Sequence, residues 1–137
     1  MPNEPDRITE LLKQAKTIAV VGLSDNPMRI SNDVSEYMQH QGYRIIPVNP
    51  AITGALGEKS YPSLSDIPGK IDLVNVFRRS VFVPDIVDEV IRLKLPALWL
   101  QEGVIHEEAA EKARQAGIFV VMDRCILKEY RARIRQR

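Results

Sequence analysis

Residues 18–31 read Ile18-Ala19-Val20-Val21-Gly22-Leu23-Ser24-Asp25-Asn26-Pro27-Met28-Arg29-Ile30-Ser31. The stretch begins with a short apolar run of the kind that forms a strand buried on both faces, as in a parallel sheet. It ends at a serine, a good N-cap for a helix that the sequence continues to about residue 41. The segment therefore predicts a strand, a polar loop and the start of a helix.

The same alternation continues along the chain. Apolar runs recur at residues 43–48, 73–77, 97–100 and 118–122. Helical patterns lie at about 8–16, 84–93, 106–116 and 127–135. Residues 50–70 break the rhythm with prolines and glycines, which indicate a loop containing one short helix at 64–67. We expect a three-layer, Rossmann-like α/β fold with a doubly wound, parallel five-stranded sheet in the order 3-2-1-4-5.

The composition is that of one soluble domain over residues 1–137, with 45% apolar and 27% charged residues. A net charge of +1 argues against binding to nucleic acid or to an anionic membrane. The apolar runs are too short to span a bilayer, and the acidic amino terminus is unlike a signal peptide. One cysteine and two histidines cannot build a Cys/His zinc site. We expect a cytoplasmic protein without a metal.

The loop after the first strand contains the first candidate ligand residues, because open α/β sheets bind ligands at the carboxyl ends of their strands. Gly22 permits a tight turn, Ser24 and Ser31 offer hydroxyls, and Arg29 supplies a positive charge. Together with a helix amino terminus they predict a phosphate cradle. An ordinary polar loop with an N-cap serine is the alternative.

The sequence lacks two features of domains that bind a nicotinamide cofactor, namely the glycine pattern after the first strand and a carboxylate at the end of the second. Ser24 and Pro27 replace glycines of the dinucleotide pattern, and the second strand ends in Val48-Asn49-Pro50 rather than in Asp or Glu. The sequence therefore indicates a phosphate-bearing ligand but not NAD.

The end of the third strand offers Phe77, Arg78 and Arg79, an aromatic ring beside two guanidinium groups. Such a set suits an adenine with a neighbouring phosphate. Pairing of the two arginines with Asp85 or Glu89 is the alternative.

The end of the fourth strand offers two further candidates. Gln101 has both a donor and an acceptor for an amide-bearing ligand, and Gly103 allows close backbone approach. An ordinary turn before a helix is the alternative.

Catalytic candidates are few. Cys125 has the chemistry of a nucleophile, but neither histidine is near it in sequence, and His106 opens a helix on the ligand side. No Ser-His-Asp order and no carboxylate pair stands out, which favours a binding module without its own catalysis.

A set of motifs occurs together in order: Gly22-x-Ser24, Pro27-x-Arg29-x-Ser31, Gly42-Tyr43, Ile46-Pro47-Val48-Asn49-Pro50, Tyr61-Pro62-Ser63-Leu64, Asp66-Ile67-Pro68, Asp72-x-Val74, Val76-Phe77-Arg78-Arg79, Trp99-x-Gln101-x-Gly103-Val104 and Val121-Met122-Asp123-Arg124-Cys125. Through these motifs the chain resembles the small, stand-alone bacterial and archaeal CoA-binding proteins. They are similar to the N-terminal CoA-binding domain of the succinyl-CoA synthetase α subunit and of ADP-forming acyl-CoA synthetases. The likeness covers about residues 8–125 and leaves 126–137 as a basic helix or tail.

The resemblance implies a Rossmann-like domain that holds coenzyme A or an acyl-CoA, with an acyl-CoA enzyme as the expected partner. The implied contact residues are Gly22, Leu23, Ser24, Asn26, Arg29, Ser31, Val48, Asn49, Pro50, Phe77, Arg78, Arg79, Ile86, Leu100, Gln101 and Gly103. The synthetases commonly have a lysine shortly after the position of Pro50, where this chain has Ala51-Ile52. An arginine, Arg29, Arg78 or Arg79, would then meet the 3′-phosphate. Two other functions stay open: an NAD(P)-dependent oxidoreductase, and an enzyme acting on a CoA thioester through Cys125 or His106.

Overall fold

The structure is a computed structural model and describes residues 3–134. Its helices are α1 (Glu4–Gln14), α2 (Ile30–His40), α3 (Val83–Arg92), α4 (Glu107–Gln115) and α5 (Ile126–Arg133). Its strands are β1 (Thr17–Val21), β2 (Arg44–Val48), β3 (Gly54–Ala55), β4 (Glu58–Lys59), β5 (Leu73–Val76), β6 (Ala97–Leu100) and β7 (Phe119–Met122). Short 3-10 turns cover Leu64–Asp66 and Ser80–Phe82. The short helix predicted at 64–67 is the first of these turns.

The predicted fold class is confirmed: five parallel strands form one sheet, and β3 and β4 form a separate small hairpin. The predicted strand order is wrong. The sheet runs β2-β1-β5-β6-β7, which is 2-1-3-4-5 when the sheet strands alone are counted. The order therefore reverses between β1 and β5, and that is where an open α/β sheet places its ligand crevice.

The segment between β2 and β5 explains the order. Tyr61 bridges to Val48, and its N–H donates to the Pro47 carbonyl, so it occupies the outer edge of β2 at the strand's end. The chain then crosses the sheet with Leu64 and Ile67 packed in the core that also holds α3 and α4. Because this connection carries no α-helix in the described chain, its crossover could not be read from helical periodicity.

Asp72 fixes β5 beside β1. Its Oδ2 accepts hydrogen bonds from the backbone N–H groups of Lys16 and Thr17, both at 2.9 Å, and its own N–H donates to the Thr17 carbonyl at 3.0 Å. Burial raises the pKa of this carboxyl, but those N–H groups and the Lys70 ammonium lower it by more, so the net shift is downward. The ionised form of Asp72 is the one that holds the two strands in register.

Two cores cover the two faces of the sheet, as the three-layer prediction requires. On one face, α1, α2 and α5 pack around Trp99, which is fully buried and donates its indole N–H to the Arg124 carbonyl at 2.8 Å. On the other face, α3 and α4 pack against the alternate residues of the same strands, such as Val74 and Leu98. This division leaves the carboxyl ends of the central strands between the starts of α2, α3 and α5.

Several helix ends differ from the sequence prediction. α1 begins at Glu4 rather than near residue 8, because the Asn3 side chain accepts the Asp6 N–H at 3.0 Å. α2 begins at Ile30, with Arg29 and not Ser31 as its N-cap. The predicted end of the last helix at Arg135 lies outside the described residues. Within residues 3–134, no helix is long and apolar enough to cross a membrane.

Candidate functional site

A cavity of about 630 Å³ lies at the carboxyl ends of β5, β6 and β7. Its walls come from the start of α2, the loops after β5 and β6, and the start of α5. The lining residues are Ile30, Asp33, Val34, Phe77, Arg78, Arg79, Gln101, Glu102, Gly103, Val104, Cys125, Leu127 and Lys128. The cavity therefore adjoins the point where the strand order reverses.

The loop between β1 and α2 is held by its own polar groups. The Ser31 hydroxyl accepts the Ser24 N–H at 3.0 Å, and the Ser24 hydroxyl accepts the Asn26 N–H at 3.0 Å. The Asn32 amide donates to the Ser24 carbonyl at 2.9 Å. These bonds shape the loop before any ligand arrives. The first N–H groups of α2, at Ile30 and Ser31, carry no intrahelical bond and form the positive end of the helix dipole.

Asn49 ties this loop to the end of β2. Its amide Nδ2 donates to the Leu23 carbonyl at 3.0 Å, and its Oδ1 accepts the Ala51 N–H at 2.9 Å. Both polar atoms are thus used inside the protein, where a nicotinamide-binding domain would present a carboxylate to the ribose. Asn49 is a positioning residue for the loop.

Gly22 sits at the sheet end of the loop and touches the neighbouring strand. Its φ of +89° favours glycine, and its N–H donates to the Val48 carbonyl at 2.9 Å. A Cβ at this position would lie 3.0 Å from Arg78 Cδ and 3.0 Å from the Phe77 carbonyl oxygen. The turn at Gly22 therefore brings the backbone of the first loop close to the loop after β5.

The guanidinium groups of Arg78 and Arg79 gather around an aromatic ring. Arg78 Cζ lies 3.9 Å from the centre of the Phe82 ring, and Arg79 Cζ lies 5.6 Å from it. Across residues 3–134, neither arginine forms an ion pair with a carboxylate, so pairing with Asp85 or Glu89 is not seen. Two positive charges thus remain available at the cavity wall.

Gln101 is buried in the wall, with only 3% of its surface exposed. Its Oε1 accepts the backbone N–H of Ile126 at 2.9 Å, which caps α5, while its Nε2 has no partner within residues 3–134. Nearby, the Gly103 N–H donates to Asp123 Oδ1 at 2.8 Å. Asp123 has a φ of +61°, a conformation uncommon for a residue with a side chain. The loops after β6 and β7 are thus joined at the cavity.

Lys128 and Glu102 form an exposed ion pair on the cavity wall. The Lys128 ammonium donates to both carboxylate oxygens of Glu102, at 3.1 and 3.0 Å. The hydrogen bond that Lys128 donates to Glu102, and then the negative charge of Glu102, raise the pKa of Lys128. Because this pair cancels its own charge, the cations left to meet an anion are those of Arg78 and Arg79.

The structure brings together five of the residues proposed from the sequence: Phe77, Arg78, Arg79, Gln101 and Gly103. Gly22, Ser24, Asn26, Arg29 and Ser31 form the adjacent first loop, and Val48, Asn49 and Pro50 lie at the end of β2 beside it. Leu23 and Leu100 are fully buried, and Ile86 packs against the core on the α3 side, outside the cavity lining.

Other lining residues were not proposed as ligand contacts from the sequence. They include Ile30, Asp33 and Val34 in the first turns of α2, and Leu127 and Lys128 in the first turn of α5. The sequence signal that could have identified them is their position in the first turns of helices that directly follow strands. Helix starts share the ligand edge with the strand ends.

His106 has a structural role. It is the N-cap of α4, and its Nδ1 accepts the Ala109 N–H at 3.1 Å. It lines a different cavity, between α3 and α4. The structure therefore separates His106 from Cys125, which lines the 630 Å³ cavity.

A further cavity, of about 430 Å³, lies at the opposite end of the sheet, near the start of β7. Its lining includes Arg7, Arg114 and Phe119, and the Arg7 guanidinium stacks on the Phe119 ring with its Cζ 4.2 Å from the ring centre. Parallel α/β sheets bind their ligands at the carboxyl ends of the strands. We therefore take the cavity beside β5, β6 and β7 as the candidate ligand site.

The fold and this cavity define an α/β domain with a candidate ligand site beside the switch point of its sheet. The chain belongs to the CoA binding domain family, whose pattern matches residues 16–131. It is 50% identical over 119 residues to the uncharacterized protein YneT of Bacillus subtilis, a match that covers 87% of this chain and 88% of that protein.

Two other similarities extend the comparison. A hypothetical protein from Pyrococcus horikoshii OT3 has a solved structure that matches with a TM-score of 0.91 and 36% identity, over 95% of this chain and 92% of that one. The ADP-forming acetate–CoA ligase I of Archaeoglobus fulgidus is 25% identical over 127 residues, which are 85% of this chain but only 18% of the ligase. The chain is therefore similar to one part of that enzyme.

Proposed function

We propose that this protein binds coenzyme A or an acyl-CoA in the cavity at the carboxyl ends of β5, β6 and β7. The observation that carries the proposal is the pair of guanidinium groups, Arg78 and Arg79, without carboxylate partners among the described residues, on the wall of a 630 Å³ cavity in a chain of the CoA binding domain family. Arginine donors bind phosphate oxygens through charge-assisted hydrogen bonds, and CoA carries three phosphate groups.

The chemistry of the cavity matches the parts of this ligand. Phe77 and the arginines suit an adenine and its phosphates, through stacking and charge. The side-chain amide of Gln101 lies on the cavity lining, where its Nε2 can donate a hydrogen bond to an amide carbonyl of the pantetheine arm. Val34, Val104 and other apolar side chains line the rest of the cavity and suit the hydrocarbon parts of the pantetheine arm.

The proposal includes a binding role without catalysis by this chain. His106 caps α4 and lies in another cavity, so Cys125 has no histidine at the site to act as its base. An NAD(P)-dependent reaction is disfavoured because Asn49 uses its side chain to hold the first loop. We propose a single domain over residues 1–137 that works in the cytoplasm and presents its ligand to an acyl-CoA enzyme.

The proposal is tested by following the backbone amide signals of the isotope-labelled protein during titration with CoA. The signals of residues 77–79, 101–104 and 125–128 should shift together, because these segments line one cavity. Signals near Arg7, Arg114 and Phe119 at the other end of the sheet should stay in place. Shifts confined to that other end would reject the assigned site, and absence of any shift would reject CoA as the ligand.

A further inference from the structure

Cys125 is the single cysteine of the chain, and its thiol is free. It occupies the N-cap position of α5, where its side chain makes no capping hydrogen bond, and it lines the candidate ligand cavity. Only 8% of its surface is exposed. The thiol therefore belongs to the cavity wall and makes no hydrogen bond that caps α5.

Gln101 gives a second, independent sign of a ligand at this part of the wall. Its side chain is 97% buried and lines the same cavity, and its Nε2 has no partner within residues 3–134. The Oε1 of the same amide is bonded to the N–H of Ile126, the residue that follows Cys125. That donor is not one of the buried side-chain atoms left without a partner, so it is accessible from the cavity, where a carbonyl of a ligand can accept its hydrogen bond. The Gln101 amide and the Cys125 thiol thus lie on neighbouring parts of one wall.

The charges of the cavity indicate which end of a CoA molecule would reach this wall. The unpaired guanidinium groups of Arg78 and Arg79 follow β5, on the side toward the first loop. Lys128, one turn along α5 from Cys125, is already paired with Glu102. Phosphates bound on the β5 side would direct the amide-bearing arm, and the sulfur at its end, toward Gln101 and Cys125.

We propose, resting on the proposed function, that Cys125 is a thiol–disulfide exchange site for CoA disulfide. The Cys125 thiol loses its proton to solvent, and its sulfur attacks one sulfur of the bound disulfide. The CoA–CoA sulfur bond breaks as the bond from Cys125 Sγ to the attacked sulfur forms. The second CoA leaves as a thiolate and takes up a proton. Cys125 is oxidised and the departing CoA is reduced, so CoA disulfide is the oxidant and no other is needed.

The experiment incubates the reduced protein with CoA disulfide and follows its intact mass. We expect one added CoA per chain, removed again by dithiothreitol, and a rate at least about tenfold higher than with glutathione disulfide at the same concentration, because the nucleotide part binds the cavity first. The preference should disappear when the protein is unfolded in urea. A Cys125→Ser variant should gain no mass under the same conditions.

The outcomes separate this inference from the proposed function. Equal rates with the two disulfides, or a preference that survives unfolding, would overturn the exchange site. So would no adduct in a protein that binds reduced CoA by calorimetry. If the folded parent does not bind reduced CoA, the proposed function fails, and the exchange site fails with it.

Discussion

Gly22 and Arg78 are in contact across the point where the strand order of the sheet reverses. A Cβ on Gly22 would lie 3.0 Å from Arg78 Cδ and 3.2 Å from Arg78 Cγ. The absence of a side chain at Gly22 thus allows the stem of Arg78 to lie against the first loop, with its guanidinium over the Phe82 ring. The shape of the loop after β1 and the position of the Arg78 guanidinium are therefore coupled.

Gly22→Ala should weaken both folding and CoA binding. The positive φ alone costs an alanine about 1–2 kcal/mol, and the added methyl group also displaces Arg78 or the Phe77 carbonyl. Urea unfolding and calorimetric titration with CoA measure the two effects. Gly117→Ala is the matched control, since Gly117 has a φ of +87° but nothing within 4 Å of a Cβ. The control should lose stability and keep its CoA affinity; equal affinities for the two variants would contradict the coupling.

Arg78→Ala should weaken CoA binding by about 1–3 kcal/mol, roughly 5- to 150-fold, through loss of a charge-assisted hydrogen bond to phosphate. Arg78→Lys should recover only part of this loss, because an ammonium cannot reproduce the planar fork or stack on Phe82. Arg131→Ala is the control. The Arg131 guanidinium also lies over an aromatic ring, that of Tyr37, but Arg131 does not line the cavity. Parental affinity in Arg78→Ala would remove this residue from the phosphate site.

Asn49→Ala should destabilise the protein by about 1–2 kcal/mol, because it leaves the Leu23 carbonyl and the Ala51 N–H without their partner. Asn49→Asp should also lose stability, since a carboxylate cannot donate to the Leu23 carbonyl. Chemical denaturation measures both changes. If Asn49→Asp proved as stable as the parent, the bond to Leu23 would not hold the loop.

Much of the fold could be predicted from the sequence, and the part that could not depends on contacts between distant segments. Apolar runs such as Ile18–Val21 and Ala97–Leu100 predict buried strands because both faces of a parallel sheet are covered. The place of β5 beside β1 depends on long-range contacts, the Asp72 bonds and the edge bridge at Tyr61, which local periodicity does not encode.

The candidate site shows the same division. Residues directly after strands, such as Phe77 and Gln101, could be proposed because strand ends share one edge of the sheet. Phe82 beneath the Arg78 guanidinium, and the internal hydrogen bond between Ser24 and Ser31, could not be. Both depend on the three-dimensional conformation of a loop, which results from the combined contacts of several side chains.

Asp72→Asn should lower stability near neutral pH, with an effect that depends on pH. The pKa of Asp72 is lower in the folded protein, so its stabilising contribution is present above the unfolded pKa of roughly 3.9 and is lost as the pH falls through the folded pKa. Urea unfolding from pH 7 to pH 2 should therefore show the parent and the variant converging in acid. Lys70→Ala should do little, because Lys70 is exposed and 3.8 Å from the carboxylate. A stability difference that stays constant over this pH range would contradict the role of the charge.

Calorimetric titration of the purified protein with CoA, dephospho-CoA and NADPH, in parallel and at one salt concentration, tests the central claim most directly. We expect saturable binding of CoA with one ligand per chain. Dephospho-CoA should bind more weakly because an arginine loses its 3′-phosphate partner. NADPH should bind more weakly still, because it lacks the pantetheine arm that Gln101 would contact. NADPH binding more tightly than CoA, or no binding of any CoA form, would contradict it.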